Sequence, residues 1–521
     1  SSSITASGGT YTVNTAGTIT DVASSLTLTG AGTLTLDNDE RIGDVVVAAN
    51  VSFVDNGAAP DVDALTVNDT FALTCGANSL STLGNVTANG DITLTNADFG
   101  VGGNLTVTAG DLVEISGNGE YTVSGTTDNA GTIRTGTSGT ASVFTGAVTN
   151  DGTFDFATHA GNPVTFEGTF DNNGGGQVTC GTGAVDFGDA AGDTFTNAGT
   201  VDTAGGAVDF YGNVENSGDI NVAGTGLVRF LDTYGAVTST GTVAMQSTGD
   251  VRFVGDAVFT GGNLTGNATG GEDPTIEFQG DATFGTFTHN NDVLRFTGAA
   301  NQQFDSNGNA VADVEVNKSA NSVQLINNGV SQAAANGVLT MTDGDLDLNG
   351  QTWTLGANLT LNTANTPRVL VNGGTLTDGA GTYSVTVTDG VVDSAAAGGD
   401  ITVGNFTVNG GTVTVGTGVF TVGSMSVSAG SFTQTGDNGG NTQSTTGLTV
   451  SGAGSCTWDS GGAGGTLSVA GAVSETGGTL DFGSKTVSNV TNFEVTGGDI
   501  DFGSSSITAS GGTYTVNTAG T

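Results

Sequence analysis

The chain has 521 residues, including 90 Gly and only 4 Pro, and 51 acidic against 8 basic residues give a net charge of −43. So much Gly with so little Pro excludes collagen and polyproline rods, and the acidity argues against nucleic acid, whose phosphates would be repelled. No apolar run approaches the ~20 residues of a membrane helix, so we expect no membrane span.

The two ends of the chain carry one sequence. Residues 504–521 repeat residues 1–18 letter for letter, an offset of 503 positions. The first residues lack a Met, a basic segment and the apolar core of a signal peptide, so we expect a mature product or an interior slice of a longer one. We divide the chain into a continuous repeat unit, 1–503, and the start of the next identical unit, 504–521. An engineered concatemer and matching ends that dock head to tail remain open as alternatives.

The central part repeats a phrase of the form apolar–x–Phe. Its eight Phe residues span 152 positions in seven steps, a mean of about 21.7 residues. They are Phe144, Phe166, Phe187, Phe210, Phe230, Phe253, Phe278 and Phe296. If each period is one layer, these rings stack about 4.8 Å apart and form a Phe ladder that buries apolar area and fixes the register.

Asn recurs at the corners of the same periods. The four positions are Asn150, Asn172, Asn197 and Asn216. Amide side chains at one phase of successive layers can hydrogen-bond along the stack, so we predict an Asn corner ladder.

The alternation of apolar and polar residues predicts the fold. Each period holds about three short stretches of two-residue alternation, separated by Asn-x-Gly or Gly-Gly turns that supply sharp corners. Helical periodicity is lacking. The sequence therefore predicts an all-β protein, a parallel β-solenoid or β-helix with about three short strands in each rung of ~22 residues. Roughly 23 rungs at ~4.8 Å would make a rod about 110 Å long.

The outward position of the Phe phrase carries charges of both signs. Asp209 should face Arg229 on the next rung, and Glu277 should lie between Arg252 and Arg295. Such pairs contribute about 0.2–1 kcal/mol each, and we interpret them as ion pairs between rungs that pin the register.

The C-terminal part repeats a Gly-led phrase at 411, 430, 454, 478 and 498, again with a mean step near 21.75 residues. Just before it, DGDLDLNG places Asp343, Asp345 and Asp347 on what alternation makes one face, and Asp186 and Asp209 should be stacked like charges. Hard oxygen ligands suit Ca²⁺, so calcium is the metal that this pattern favours, although exposed Asp is more often only solvated. No cofactor is required.

The stretch 314–361, VEVNKSANSVQLINNGVSQAAANGVLTMTDGDLDLNGQTWTLGANLTL, resembles secreted right-handed β-helix repeat proteins of the filamentous-haemagglutinin and autotransporter-adhesin type. The resemblance is one of pattern and extends over most of the chain, but the secretion domain of such proteins is lacking. It implies an extracellular or cell-surface rod in adhesion or biofilm matrix.

Catalysis is poorly supported, because the two His, His159 and His289, lie 130 positions apart and basic residues are scattered. We predict no enzyme, but a structural repeat of an extracellular fibre whose partner is itself, head to tail. The alternative is a rod-like adhesin that binds glycans or cell surfaces, and a β-helix polysaccharide lyase ranks lower. Ice binding ranks last, because the Thr residues do not hold one regular column through the sequence.

Overall fold

The structure is a computed structural model of the whole chain. It describes residues 3–13, 25–36, 42–56, 62–137, 141–190, 192–231, 236–246, 248–267, 274–290, 292–333, 336–380, 382–435, 442–458 and 465–517. The chain divides into two units, Ser1–Pro274 and Thr275–Thr521.

The first unit is a parallel β-solenoid. From Leu80 onward each coil contributes one strand to each of three sheets, called sheets 1, 2 and 3 in the order in which the chain visits them from the apolar–x–Phe phrase. The described coils before Leu80 contribute strands to sheets 2 and 3. Successive coils pair in parallel and in register, for example Val185 with Val208 and Phe187 with Phe210. The prediction of a parallel β-solenoid is confirmed.

Sheet 1 of the first unit comprises Leu80–Thr82, Phe99–Val101, Tyr121–Val123, Ser142–Phe144, Val164–Phe166, Val185–Phe187, Val208–Phe210, Val228–Phe230 and Val251–Phe253. Sheet 2 comprises Ser3–Ala6, Ser25–Leu28, Asp44–Val47, Leu65–Val67, Val86–Ala88, Leu105–Val107, Thr127–Asn129, Val148–Asn150, Phe170–Asn172, Thr194–Asn197, Asn213–Asn216, Ala236–Ser239 and Asp256–Val258. Sheet 3 comprises Gly9–Val13, Gly32–Leu36, Val51–Asp55, Ala72–Gly76, Asp91–Thr95, Leu112–Ser116, Thr132–Thr135, Thr153–Asp155, Gln177–Thr179, Thr200–Thr203, Asp219–Val222, Thr242–Met245 and Asn263–Thr265.

The second unit is also a parallel β-solenoid, and its first coils again carry the apolar–x–Phe phrase that defines sheet 1. Sheet 1 holds Thr275–Phe278, Val293–Phe296, Leu359–Asn362, Ser384–Asp389, Leu448–Val450 and Tyr514–Val516. Sheet 2 holds Ala282–Thr283, Gln302–Asp305, Arg368–Leu370, Val391–Asp393 and Ser455–Trp458. Sheet 3 holds Thr286–Thr288, Val330–Ser331, Thr352–Thr354, Thr375–Thr377, Thr442–Thr445, Thr466–Val469, Thr486–Val490 and Ser506–Ala509.

Some strands of the second unit continue around a corner. Four run from sheet 1 into sheet 2: Asp313–Leu325, Leu339–Asp347, Ala472–Asp481 and Asn492–Asp501. Two run through all three sheets, Asp400–Val415 and Phe420–Gln434. The one helical element among the described residues is a 3₁₀ turn, Ala396–Gly398. Together the two units form about 22 coils, close to the roughly 23 that the period predicts.

Alternation places the core inside each coil. In Val185–Phe187 the two apolar residues are buried and Asp186 between them is half-buried on the outside. Corners bring the backbones of successive coils close together: a Cβ on Gly218 would lie 2.0 Å from the Gly199 carbonyl oxygen. Glycine at this corner is therefore required by close approach. No helix in the described ranges is long and apolar enough to cross a membrane.

Candidate functional site: side-chain ladders and terminal strands

The Asn residues form a continuous buried ladder at the corner between sheets 2 and 3 of the first unit. The Nδ2 of Asn150 donates to Oδ1 of Asn172 at 2.7 Å, Asn172 donates to Asn197 at 2.7 Å, and Asn197 donates to Asn216 at 2.7 Å. Each Nδ2 also donates to a backbone carbonyl of the following coil or strand, as Asn172 does to Thr200. All four side chains are at most 2% exposed. The predicted ladder is confirmed.

Two further members of this ladder, Asn129 and Ser239, were not predicted from the sequence. Asn129 donates to Asn150 at 2.8 Å, and Asn216 donates to the Ser239 hydroxyl at 3.1 Å. The signal was present, because Asn129 opens the corner Asn-Ala-Gly in the same way as Asn197 does.

The Phe residues of sheet 1 stack along the core. Ring centroids lie 5.0 Å apart for Phe144 and Phe166 and 4.8 Å apart for Phe230 and Phe253, and the ring planes of the latter pair differ by 3°. Phe166, Phe187 and Phe210 continue the stack between them. In the second unit, Phe278 and Phe296 stack at 5.7 Å. The Phe ladder is therefore confirmed within each unit.

The outward charged column holds one of the predicted ion pairs. Arg229 binds Asp209 through two hydrogen bonds, Nε to Oδ1 at 2.6 Å and Nη2 to Oδ2. Asp209 is 3% exposed, so this pair lies within the surface layer. Asp186 stands in register with Asp209, and burial together with the Asp209 charge raises its pKa.

The second predicted cluster has a different partner. Glu277 is in register with Arg295, but the Arg295 Nε donates to Glu315 of the following coil at 2.7 Å. Glu277 accepts from the Gln279 amide and from the Thr297 hydroxyl, the latter at 2.7 Å. Arg252 belongs to the other unit, and its pairing with Glu277 remains a prediction.

The carboxylates that were assigned to calcium do not converge. The strand turns at Gly344, which has φ +84°, so Asp343 lies before the corner and Asp345 and Asp347 after it. Asp345 is paired with Arg368 at 3.5 Å, and Asp347 accepts from Gln324, Asn349 and Asn372. All three side chains point out of the core, as alternation predicts, but Asp343 lies on the other side of the corner from Asp345 and Asp347, so the three do not share one sheet.

Across the described part of the chain, no group of three or more His, Cys, Asp or Glu side chains could hold a metal ion. The two His lie in different units. His159 is buried, and its ring is hydrogen-bonded to the Asn162 carbonyl. His289 accepts from the Ala312 amide, and burial lowers its pKa. Calcium binding at the acidic surface remains a prediction without a defined site.

Lys318 and Glu475 are two of the charged side chains that are buried in the described part of the chain, and neither was predicted to be buried. The Lys318 ammonium donates to the Gln302 side-chain oxygen at 2.6 Å and to the Thr297 carbonyl at 3.0 Å, and burial lowers its pKa to about 8. Glu475 is 0% exposed, neither of its oxygens has a hydrogen-bond partner, and burial raises its pKa to about 7. Strict alternation from Val316 and Val473 would have placed both on the inner face.

Hydroxyl side chains form regular outer columns in the second unit. On sheet 3, Thr402, Thr421, Ser444 and Ser468 stand in register on successive coils. Ser takes the place of Thr at this phase from Ser444 onward, so the column is one of hydroxyls rather than of Thr alone. It does not contradict the expectation that Thr residues hold no single regular column through the chain. Within the described residues these columns line only shallow, open depressions.

The repeated terminal sequence lies in different sheets at the two ends. In the first unit, Ser3–Ala6 belongs to sheet 2 and Gly9–Val13 to sheet 3. In the second unit, the same residues lie one sheet further on, with Ser506–Ala509 in sheet 3 and Tyr514–Val516 in sheet 1. The sequence is therefore compatible with more than one phase of the coil.

Core side chains are uncovered at both ends. Phe502, Tyr514 and Val516 are 37%, 42% and 54% exposed, whereas their counterparts one coil earlier, Phe482, Phe493 and Val495, are at most 3% exposed. At the other end Ile4 is 46% exposed and Leu26, its neighbour in register, is 5% exposed.

Comparison with family models, curated proteins and solved structures finds no match to this chain. The ladders, the outer columns and the uncovered terminal strands are therefore the basis for any statement about function.

Proposed function

We propose that this protein is a structural repeat of an extracellular or cell-surface fibre, in which copies of the β-solenoid follow one another along the fibre axis. The observation that supports this most directly is the pair of terminal coils. Both carry the same sequence, and each copy forms strands that pair in parallel with a neighbouring coil, one on its C-terminal side and the other on its N-terminal side. One sequence that can be stacked on from either side suits a solenoid that repeats along an axis.

The side-chain ladders support a mechanical role. Stacked Phe rings and buried Asn amides link successive coils of the first unit, so stability is distributed along that part of the solenoid. A net charge of −43 keeps such copies apart laterally unless cations or salt screen it.

The experiment is mass spectrometry of the native material under denaturing conditions, combined with electron microscopy before denaturation. Filaments that dissolve into 50.9 kDa chains support docking of separate copies, and filaments that yield much longer chains support covalent tandem repeats. Native material without filaments would contradict the proposal.

The second candidate is a rod-like adhesin, favoured by the hydroxyl columns of sheet 3 in the second unit, which could bind glycans along the surface. Glycan-array binding that weakens when Thr421 is replaced by Val would support it. We rank a polysaccharide lyase lower, and the assay for it is the ultraviolet absorbance of unsaturated products.

A further inference from the structure

Each copy of the terminal sequence shows one half of a strand arrangement. The N-terminal copy is paired with the coil on its C-terminal side: Ser3–Ala6 pairs with Ser25–Leu28, and Gly9–Val13 pairs with Gly32–Leu36. The C-terminal copy is paired with the coil on its N-terminal side, because Ser506–Ala509 pairs with Thr486–Val490. When the two copies of the terminal sequence are superimposed, the segment has a paired coil on each side. This gives a complete junction between two copies of the chain.

The strands on the C-terminal side of the N-terminal copy fit its backbone closely. A Cβ on Gly30 would lie 2.3 Å from the Ser7 carbonyl oxygen, and one on Gly32 would lie 1.9 Å from the Gly9 carbonyl oxygen. Glycine at both positions therefore allows this segment to lie directly on the coil. Residues 510–512 have the same sequence as residues 7–9, so the same surface accepts them.

The apolar side chains are also matched. Leu34 stands in register with Tyr11 and is 2% exposed. Tyr514 and Val516, the counterparts of Tyr11 and Val13, are among the most exposed large apolar side chains of the described chain. A coil like Gly32–Leu36 placed on them would bury these side chains, at about 25 cal/mol per Å² of apolar area.

We propose that residues 504–516 of one copy pair with Ser25–Leu28 and Gly32–Leu36 of a second copy, in the place that residues 1–13 hold here. Ser506 then aligns with Ser25, Thr508 with Thr27 and Thr515 with Thr35 of that second copy. The inference rests on the proposed fibre function and specifies its junction. Between separate chains residues 1–13 of the second copy are displaced, and the arriving segment restores the same pairings because its sequence is identical.

A shift by one sheet results from this junction. The receiving strands lie in sheets 2 and 3 of the second copy, whereas the terminal strands lie in sheets 3 and 1 of the first. The coil therefore continues with its side-chain columns moved by one sheet. The Phe column of the second copy continues sheet 2, not sheet 1, of the C-terminal unit below it, and three successive copies restore the original phase.

Disulfide mapping on the full chain tests the junction. Paired parallel strands lie about 4.8 Å apart, a spacing that a disulfide can bridge. The double variant T27C/T508C, in which both positions face outward, should form a ladder of disulfide-linked chains under mild oxidation, and reduction should abolish it. T35C/T515C is the second pair and should behave alike. Each single variant should give dimers at most.

A third pair of positions tests the competing arrangement. In that arrangement residues 1–13 stay in place, and sheet 2 of one copy is stacked on sheet 2 of the next. Ser3–Ala6 would then lie on the last sheet 2 strand, with Thr5 next to Asp501, so T5C/D501C would link instead. Linking by T5C/D501C, or by none of the pairs in variants that keep a β-sheet circular dichroism spectrum, would overturn the exchange. Filaments that form without any of these links would leave the fibre function intact.

Discussion

An Asn inside the buried ladder makes several hydrogen bonds with its side chain. The Asn172 side chain donates to Asn197 and to the Thr200 carbonyl, and it accepts from Asn150. In N172A the amide of Asn150 and the oxygen of Asn197 would each lose a buried partner. Since an unsatisfied buried polar group costs about 1–3 kcal/mol, we expect a loss of about 3 kcal/mol.

Denaturant titration measures this loss, and hydrogen exchange locates it. The adjacent Asn173 provides the control, because it is exposed and bonds only to Asp151, at 2.9 Å, through its side chain. N173A should change the free energy of unfolding by less than about 0.5 kcal/mol. Equal effects of N172A and N173A would contradict a special role for the ladder.

The buried Glu475 predicts a pH dependence of stability. Its pKa is raised from 4.5 to about 7 by burial and by the charge of Asp499. The folded state therefore binds the proton more tightly than the unfolded chain does. This contribution to stability is present below pH 4.5 and is lost as the pH rises to about 7.

The variant E475Q removes that dependence. At pH 8 we expect it to be more stable than the natural protein by about 2 kcal/mol, and at pH 4 to be nearly equal to it. Thermal unfolding at the two pH values makes the measurement. Glu494 on the next coil is exposed, and E494Q is the control. If E475Q increased the stability equally at pH 8 and at pH 4, the charge of the Glu475 carboxylate would not be the cause of the increase.

Residues of the usual type at a fixed phase could be predicted from the sequence, but charged residues at an inner phase were missed. Asn172 and Phe187 recur at regular positions, and periodicity alone places them. Lys318 and Glu475 occupy phases that apolar residues hold in other coils, so composition argued against burying them. The partner of Arg295 was missed because Glu315 lies in a coil without Phe.

At the scale of the strand, the Phe stack couples each coil to the next. Phe210 lies 5.0 Å from Phe187 and 4.9 Å from Phe230, with ring planes within 9° of parallel. F210A would open a cavity between these two rings. We expect a loss of about 3–5 kcal/mol, the usual range for a buried Phe.

Hydrogen exchange shows which strands F210A destabilises, and this tests the coupling more directly than the total loss of stability does. Because a solenoid is coupled mainly between neighbours, amides of Val185–Phe187 and Val228–Phe230 should exchange faster in F210A, while those of Leu105–Val107 should not change. Tyr211 is 38% exposed, and Y211A is the control with an expected effect below about 1 kcal/mol. Uniformly faster exchange would contradict coupling between neighbours.

The sequence predicts which residues of a strand point inward better than it predicts where the strand ends. The three-residue strands of the first unit agree directly with the apolar–x–Phe phrase. In the second unit, Asp400–Val415 runs through all three sheets, because its corners remain hydrogen-bonded to the next coil at Asn405 and Asn409. The same effect places Asp343 before a corner, since Gly344 turns the strand where simple alternation was assumed.

Over the whole chain, stability should vary between regions rather than be uniform. The part of the first unit around Cys180 lies between the Asn and Phe ladders. The part of the second unit around Cys456 lies one coil before the buried Glu475, whose charged form opposes burial. Local opening should therefore begin in the second unit near neutral pH.

Thiol labelling measures this difference, since both Cys180 and Cys456 are 0% exposed and burial raises the pKa of each thiol, that of Cys180 to about 12. Each thiol can react only when its coil opens. In moderate urea at pH 8, we expect Cys456 to react at least tenfold faster than Cys180, which corresponds to about 1.4 kcal/mol in opening free energy. Variants that lack Cys75 and retain only one of the other two cysteines keep the signals separate, and E475Q should slow labelling of Cys456 alone. Equal labelling rates, or an effect of E475Q on Cys180, would mean that the chain opens as one cooperative whole.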